Sequence, residues 1–371
     1  MTIILFILIL GVLIFVHELG HFVTAKFFGI RVDEFGMGLP PRAAKLFSRS
    51  GTDYTLNWIP FGGFVKIYGE DALEETDASD PDINRSFGAK KWWQQIIVLV
   101  AGVTMNFLLA AVLFSFAFMI GAPTAVSGVD DPSQIINPQL TVLEVVSGSP
   151  AEKAGIAPGD HILMVESLDK KISGTDLTPD AFVAVVRAMP ANTPIHIQIE
   201  HAKSHTTGDL LVIPQKGLTG DYPAIGASID MVGMYHQGFF KAIKNGFLNT
   251  WYLTGQTLHA FGKLITDAVH GHGTTKNLTG PVGLVSAVGD AEKVGGVYVI
   301  MLAGMISINL AVLNIMPFPA LDGGRVVMVI IEAVTRRKIK PVVVQWINTV
   351  GFFLLIALMI FITVKDVMKL F

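Results

Sequence analysis

Long apolar runs alternate with mixed stretches along the chain. Crossing about 30 Å of hydrocarbon takes about 20 apolar residues in a helix, and four segments qualify, predicted at 1–28, 95–121, 297–325 and 346–366. The first is almost uninterrupted from Thr2 to Val16. Between the first two, in the loop 29–94, the stretch DYTLNWIPFGGFVKIYG from Asp53 to Gly69 alternates polar and apolar residues and then sets Gly62-Gly63 before Phe64-Val65-Lys66-Ile67. That pattern predicts short strands around a tight turn. These strands either offer an edge to a substrate backbone or form a small structural sheet closing the loop. From 125 to 222 the pattern is that of a soluble domain, with strands at Leu140–Val146, His161–Val165, Ile195–Glu200 and Asp209–Ile213 and a helix from Thr178 to Met189. Within 236–270, Phe240, Ile243, Phe247, Trp251, Leu258, Phe261 and Ile265 fall at helical spacing opposite Lys241, Asn245, Asn249, Gln256 and Lys263. Such a helix lies in a membrane interface or packs on the soluble domain.

Composition narrows the class. With 51% hydrophobic and 15% charged residues in 371, the chain is too apolar for an ordinary soluble protein and too interrupted for a helical bundle alone. The expected fold is a polytopic α-helical membrane protein of about four transmembrane helices, with a membrane-associated β-hairpin loop and an inserted α+β domain. A net charge of −3 gives no footprint for a nucleic-acid partner, and the absence of Cys removes thiolate ligands and disulfides. The first apolar run has no basic n-region, and Gly20, Ala25 and Gly29 offer no cleavage box, so it is expected to stay as a helix in a multi-pass protein. Arg325, Arg336, Arg337, Lys338 and Lys340 between the last two spans predict a cytoplasmic loop. The loop 29–94 then faces the same side, and residues 121–296 and both termini face the other.

The chemistry sits at the end of the first span, in HELGH from His17 to His21. Imidazoles at i and i+4 share one helix face and suit two corners of a tetrahedral zinc site, with Glu18 placed to act on a water at the metal. Ionisable groups at membrane depth persist when paired, metal-bound or lining a wet cavity. The alternative is a metal-free cluster wetted by headgroup water at the end of a shorter span. The third span leads into SINLAVLNIMPFPALDGGR, Ser307 to Arg325, where Asp322 stands between prolines and a Gly pair. It either completes a set of two His and one carboxylate, leaving one zinc position open, or caps the next helix.

H-E-x-x-H in one span and N-x-x-P-x-P-x-L-D-G-G in a later one resemble the site-2 protease family of intramembrane zinc metalloproteases. SPAEKAGIAPGDHIL, Ser149 to Leu163, resembles a bacterial PDZ domain, and a PDZ insertion between the second and third spans points to the RseP-type branch. The resemblance covers nearly the whole chain. It implies one zinc ion per chain on His17, His21 and Asp322, with Glu18 as general base. It also implies that Asn314, Pro317 and Pro319 shape a substrate groove, that Gly102 and Asn106 match a G-x-x-x-N pattern of the second span, and that Gly62, Gly63 and Phe64 belong to a membrane-reentrant loop presenting substrate in extended form. The implied partners are the lipid bilayer and single-span, type II substrates such as trimmed anti-sigma factors and signal-peptide remnants. The implied place is a bacterial inner membrane, with the PDZ domain periplasmic and the active site nearer the cytoplasmic leaflet. One departure is that well-known RseP-type members carry two tandem PDZ domains, whereas Leu140 to Tyr222 has room for one, so a paired-domain cap is in doubt. The PDZ ligand stays open between a peptide end and steric gating. Two other readings compete: a membrane-anchored zinc peptidase facing water, with a third ligand near Glu74 and Glu75, and a non-enzymatic PDZ adaptor.

Overall fold

The computed structural model describes residues 1–70, 81–129, 131–167, 170–190, 192–202, 204–216, 218, 222–270 and 280–368. The stretch containing Glu74 and Glu75 lies outside them. In chain order the elements are α1 (Thr2–Phe27), β1 (Val32–Arg49), β2 (Thr52–Ile67), α2 (Trp92–Ile120), β3 (Ala122–Ala125), β4 (Ile135–Val145), α3 (Pro150–Lys153), β5 (His161–Glu166), β6 (Lys171–Ser173), α4 (Pro179–Ala188), β7 (Ile195–Glu200), β8 (Thr207–Val212) and β9 (Ala227–Tyr235). They are followed by α5 (Phe239–Val269), α6 (Pro281–Val294), α7 (Gly296–Ile315), α8 (Asp322–Thr335) and α9 (Pro341–Met368). The chain divides into two compact units: α1, β1, β2, most of α2 and α5 to α9 form one, and β3 to β9 with α3 and α4 form the other.

In the membrane unit, α1, α2, α7 and α9 are long and apolar enough to cross a bilayer. Burial separates them: 39% of the most apolar window is inside the protein in α2 and α7 but 6% in α9, so α9 turns nearly its whole surface outward. The predicted 297–325 segment is two elements, because the backbone leaves the helix after Ile315 and resumes at Asp322. Asp322 is therefore the first residue of α8 rather than its cap; the cap position is Leu321.

The sheet differs from the expected short strands. β1 and β2 form one long hairpin whose turn is Ser50-Gly51, both at positive φ (52° and 75°), the geometry that two-residue hairpin loops require. Gly62-Gly63 lies within the β2 range, Gly62 at φ 88°, where that arm reverses direction between 57 and 63. Both arms bend back, so Phe35 pairs with Tyr54 on one side and Val65 on the other, and Met37 pairs with Leu56 and Gly63. The result is four segments in the order 42–49, 52–57, 34–37 and 63–67.

The second unit holds a sheet ordered β3-β9-β4-β5-β7-β8, with β6 beside β5. Ser149 accepts from the Glu152 N–H and Thr178 from the Ala181 N–H, capping α3 and α4. β9 belongs to this sheet although it lies beyond the expected boundary at 222. The expected amphipathic helix of 236–270 is α5. Its Gly246 is set against Ser115 of α2, and Phe107 of α2 meets Phe247 and Trp251 edge-on at 5.5 and 6.3 Å.

Candidate metal centre

Helical spacing brings His17 and His21 together on one face of α1, their ring centroids 4.8 Å apart. Asp322, more than 300 residues downstream, completes the group: its Oδ2 lies 3.0 Å from His17 Nε2 and 3.5 Å from His21 Nε2. The three ligand atoms fall within 4.8 Å of one another. Two Nε2 atoms and a carboxylate oxygen are the donor set of a catalytic zinc site with one position left for a reactant, so the residues fit the metal.

The surrounding groups set which nitrogen faces the metal. His21 Nδ1 lies 2.9 Å from the Val98 carbonyl oxygen, and only an Nδ1–H can bond there, which leaves the Nε2 lone pair for a metal. His17 Nδ1 lies 3.4 Å from the side-chain amide of Asn106, whose other end has no partner among the described residues. With the amide oxygen toward the ring, Asn106 accepts from Nδ1–H and His17 takes the same tautomer. Ser307 donates to the Asn106 carbonyl oxygen at 2.8 Å, tying α7 to α2.

Backbone proximity makes the cluster possible. A Cβ on Gly20 would lie 2.7 Å from the Ala101 carbonyl carbon, so α1 and α2 touch there. At Gly102 a Cβ would lie 2.7 Å from His17 Cε1 and 2.8 Å from His17 Nε2, and closer still to His21 Nε2. Gly102 keeps open the space the metal needs. Gly323 and Gly324 act likewise at the start of α8, where side chains would strike the backbone of Ile315, Met316 and Phe318. Without them Asp322 would not reach the imidazoles.

Asn314 is brought to the site, its amide 3.3 Å from His17 Nε2. Pro319 packs on Gly351, and Pro317 and Pro319 lie in the 316–321 link between α7 and α8. Glu18 lines a cavity of about 210 Å³ together with Phe35, Gly36, Met37, Asn57, Gly62 and Gly63. A Cβ on Gly63 would lie 3.7 Å from Glu18 Cγ, so the sheet stands beside the expected base. Phe64 does not line this cavity; its ring lies over Gly36. Sequence reasoning missed Gly36 and Gly38, although the F-G-M-G string at 35–38 was a signal for close backbone approach. It also missed the ion pair between Arg325, one turn after Asp322, and Glu70.

The sequence profile of Peptidase family M50 matches residues 5–358. A protein of Clostridium perfringens named as a zinc metalloprotease is 36% identical over 99% of this chain and 98% of its own length. One of Clostridium acetobutylicum, named likewise, is 30% identical over 99% and 97%. The zinc metalloprotease RasP of Geobacillus kaustophilus is 27% identical over 100% and 98%.

Proposed function

Because the chain belongs to peptidase family M50, the site-2 proteases, and is a membrane zinc metalloprotease, we propose that it hydrolyses peptide bonds inside the transmembrane segments of single-span proteins. The observation that carries this is the position of the catalytic groups: both histidines and Glu18 lie on α1, itself long and apolar enough to span, and Glu18 borders a cavity whose opposite wall is sheet backbone.

The amides of a substrate helix are already hydrogen-bonded and its scissile carbonyl is shielded, so the helix must unwind before it is cut. The segments 35–38, 56–57 and 62–63 face the cavity and hold an unwound strand beside Glu18. When bound, zinc supplies Lewis acidity toward the carbonyl and lowers the pKa of water. His17, His21 and Asp322 hold the ion, while Val98 and Asn106 keep the imidazoles in register. Glu18 takes the proton of the attacking water and returns it to the leaving amine. Asn314 directs its amide to the same spot and orients the substrate.

The second unit we read as a single PDZ-type domain. Supporting this are the capped α3, the turn into β5, and a cavity of about 370 Å³ lined by Phe182, Val183 and Val186 of α4 and the 222–229 stretch. In our reading the substrates are type II proteins such as trimmed anti-sigma factors or signal-peptide remnants in a bacterial inner membrane, with this domain on the periplasmic side.

The test is Glu18→Gln in liposomes with a single-span substrate lacking its outer domain. Turnover should fall by about 10²–10⁴-fold with zinc content unchanged, and the wild-type cut should map inside the span. Cuts confined to the soluble flanks would instead support a water-facing peptidase.

A further inference from the structure

A second cavity, of about 310 Å³, opens where α2 begins and α8 ends. Among the described residues, Lys90, Arg336, Arg337 and Lys338 line it with Trp92 and a single carboxylate, Glu332. That carboxylate is already occupied: Lys338 Nζ lies 3.0 Å from Glu332 Oε2, and the Ile339 N–H donates to Oε1 at 2.9 Å. Neither Arg336 nor Arg337 has an ion-pair partner among the described residues, and both are exposed. The cavity therefore carries a cationic excess that its own wall does not neutralise.

Its position is equally specific. Two spanning helices start beside it, α2 at Trp92 and α9 at Pro341, which places it at a bilayer boundary. Trp92, Trp93 and Trp346 are 55%, 39% and 66% exposed, as expected of side chains anchoring helices at headgroup level. The N-terminal end of the α2 helix dipole adds positive potential at the same level. Basic pockets between spanning helices, next to aromatic anchors, suit the phosphate of a lipid.

We propose that this cavity is a binding site for the phosphate headgroup of an anionic phospholipid. The guanidinium groups of Arg336 and Arg337 hold the phosphodiester, Lys90 closes the opposite side, and Trp92 packs on the glycerol portion. The helix that ends here, α8, begins at Asp322, so the headgroup steadies the element that supplies the third metal ligand.

The test uses the full chain in nanodiscs of phosphatidylcholine with varied phosphatidylglycerol, and native mass spectrometry of the lipids retained after release. Wild type should retain phosphatidylglycerol preferentially. Each basic residue removed should weaken retention roughly fivefold, so Lys90→Gln/Arg336→Gln/Arg337→Gln should abolish the preference, while Lys153→Gln/Lys170→Gln/Lys216→Gln, matched in charge but in the other unit, should keep it. Glu332→Gln, which removes the one anion among the described residues of the wall, should strengthen retention and does not depend on a weakened variant folding. Equal retention by wild type and the Lys90 triple variant would overturn the proposal. So would a preference erased by millimolar inorganic phosphate, which would make the site one for a soluble anion.

Discussion

In the second unit, the buried polar groups tie its own elements together: Ser149 caps the Glu152 N–H, and Asp160 accepts from the Ala157 N–H at 3.0 Å and, 42 residues on, from the Ala202 N–H at 3.1 Å. The rest of its core, from Leu140 and Val142 to Ile195, Ile197 and Ile199, is apolar. In the membrane unit the buried polar groups His17, His21, Asn106 and Ser307 find partners 77 to 305 residues away, and these partnerships converge on one cluster. A bilayer withholds water from unpaired polar groups as strictly as an apolar core does. The second unit uses its buried hydrogen bonds to cap and tie the elements of its sheet; in the membrane unit those around His17 and His21 build chemistry. Its stability and its function therefore depend on different residues.

The sharpest way to break this contrast is Gly102→Ala. The added Cβ would occupy the space between the imidazoles, so zinc content should fall to background, whereas Gly11→Ala on α1, with nothing within 4 Å of its Cβ position, should keep its zinc; metal analysis of purified protein distinguishes them. Next is Ile197→Ala in the middle of the other core. It should cost that unit about 2–5 kcal/mol, visible as faster amide exchange across β5, β7 and β8, with zinc content unchanged. Loss of zinc in that variant would show that the units are not independent. Asn106→Ala should then weaken zinc affinity by about 10–100-fold without disturbing the Ser307 bond, which uses the Asn106 backbone.

The smallest effect is a pH slope. Burial pushes the pKa of His161 below the usual histidine range, against the pull of Glu200 and Asp160. Thr141 donates to the Gln139 carbonyl, so its Oγ1 accepts from the neutral ring at 2.9 Å. Below about pH 6.5 the unfolded chain binds a proton that the folded one resists. The stability from this site is thus whole above that pH and lost as pH falls through the lower folded value. Exchange protection measured from pH 7.5 to 5 should show the second unit weakening, and His161→Gln should flatten the slope.

Local signals carried much of this molecule. The four spans were legible because twenty apolar residues have one stable state in lipid, and the helix from Thr178 because its start is fixed locally, Thr178 acting on the amide three residues on. Less legible was the hairpin. The Gly62-Gly63 pair marks a reversal within β2, but the turn joining β1 to β2 is Ser50-Gly51, and the register that folds the two into four segments depends on pairing between residues far apart. Likewise β9, beyond the expected edge of the soluble domain, joins its sheet through partners some 90 residues earlier.

By itself, the sequence determined that His17 and His21 share a helix face, that this helix is apolar enough to span a membrane, and that Asp322 stands at a broken helix between prolines and glycines, because these depend on backbone periodicity and chain stiffness over a few residues. Only the tertiary structure decided that Asp322 meets the imidazoles, that Gly102 leaves them room, that Val98 sets the tautomer of His21 and Asn106 approaches His17, and that the sheet stands beside Glu18. Each of those is a contact between helices or strands distant in sequence, and close packing settles it only when the whole membrane unit has assembled.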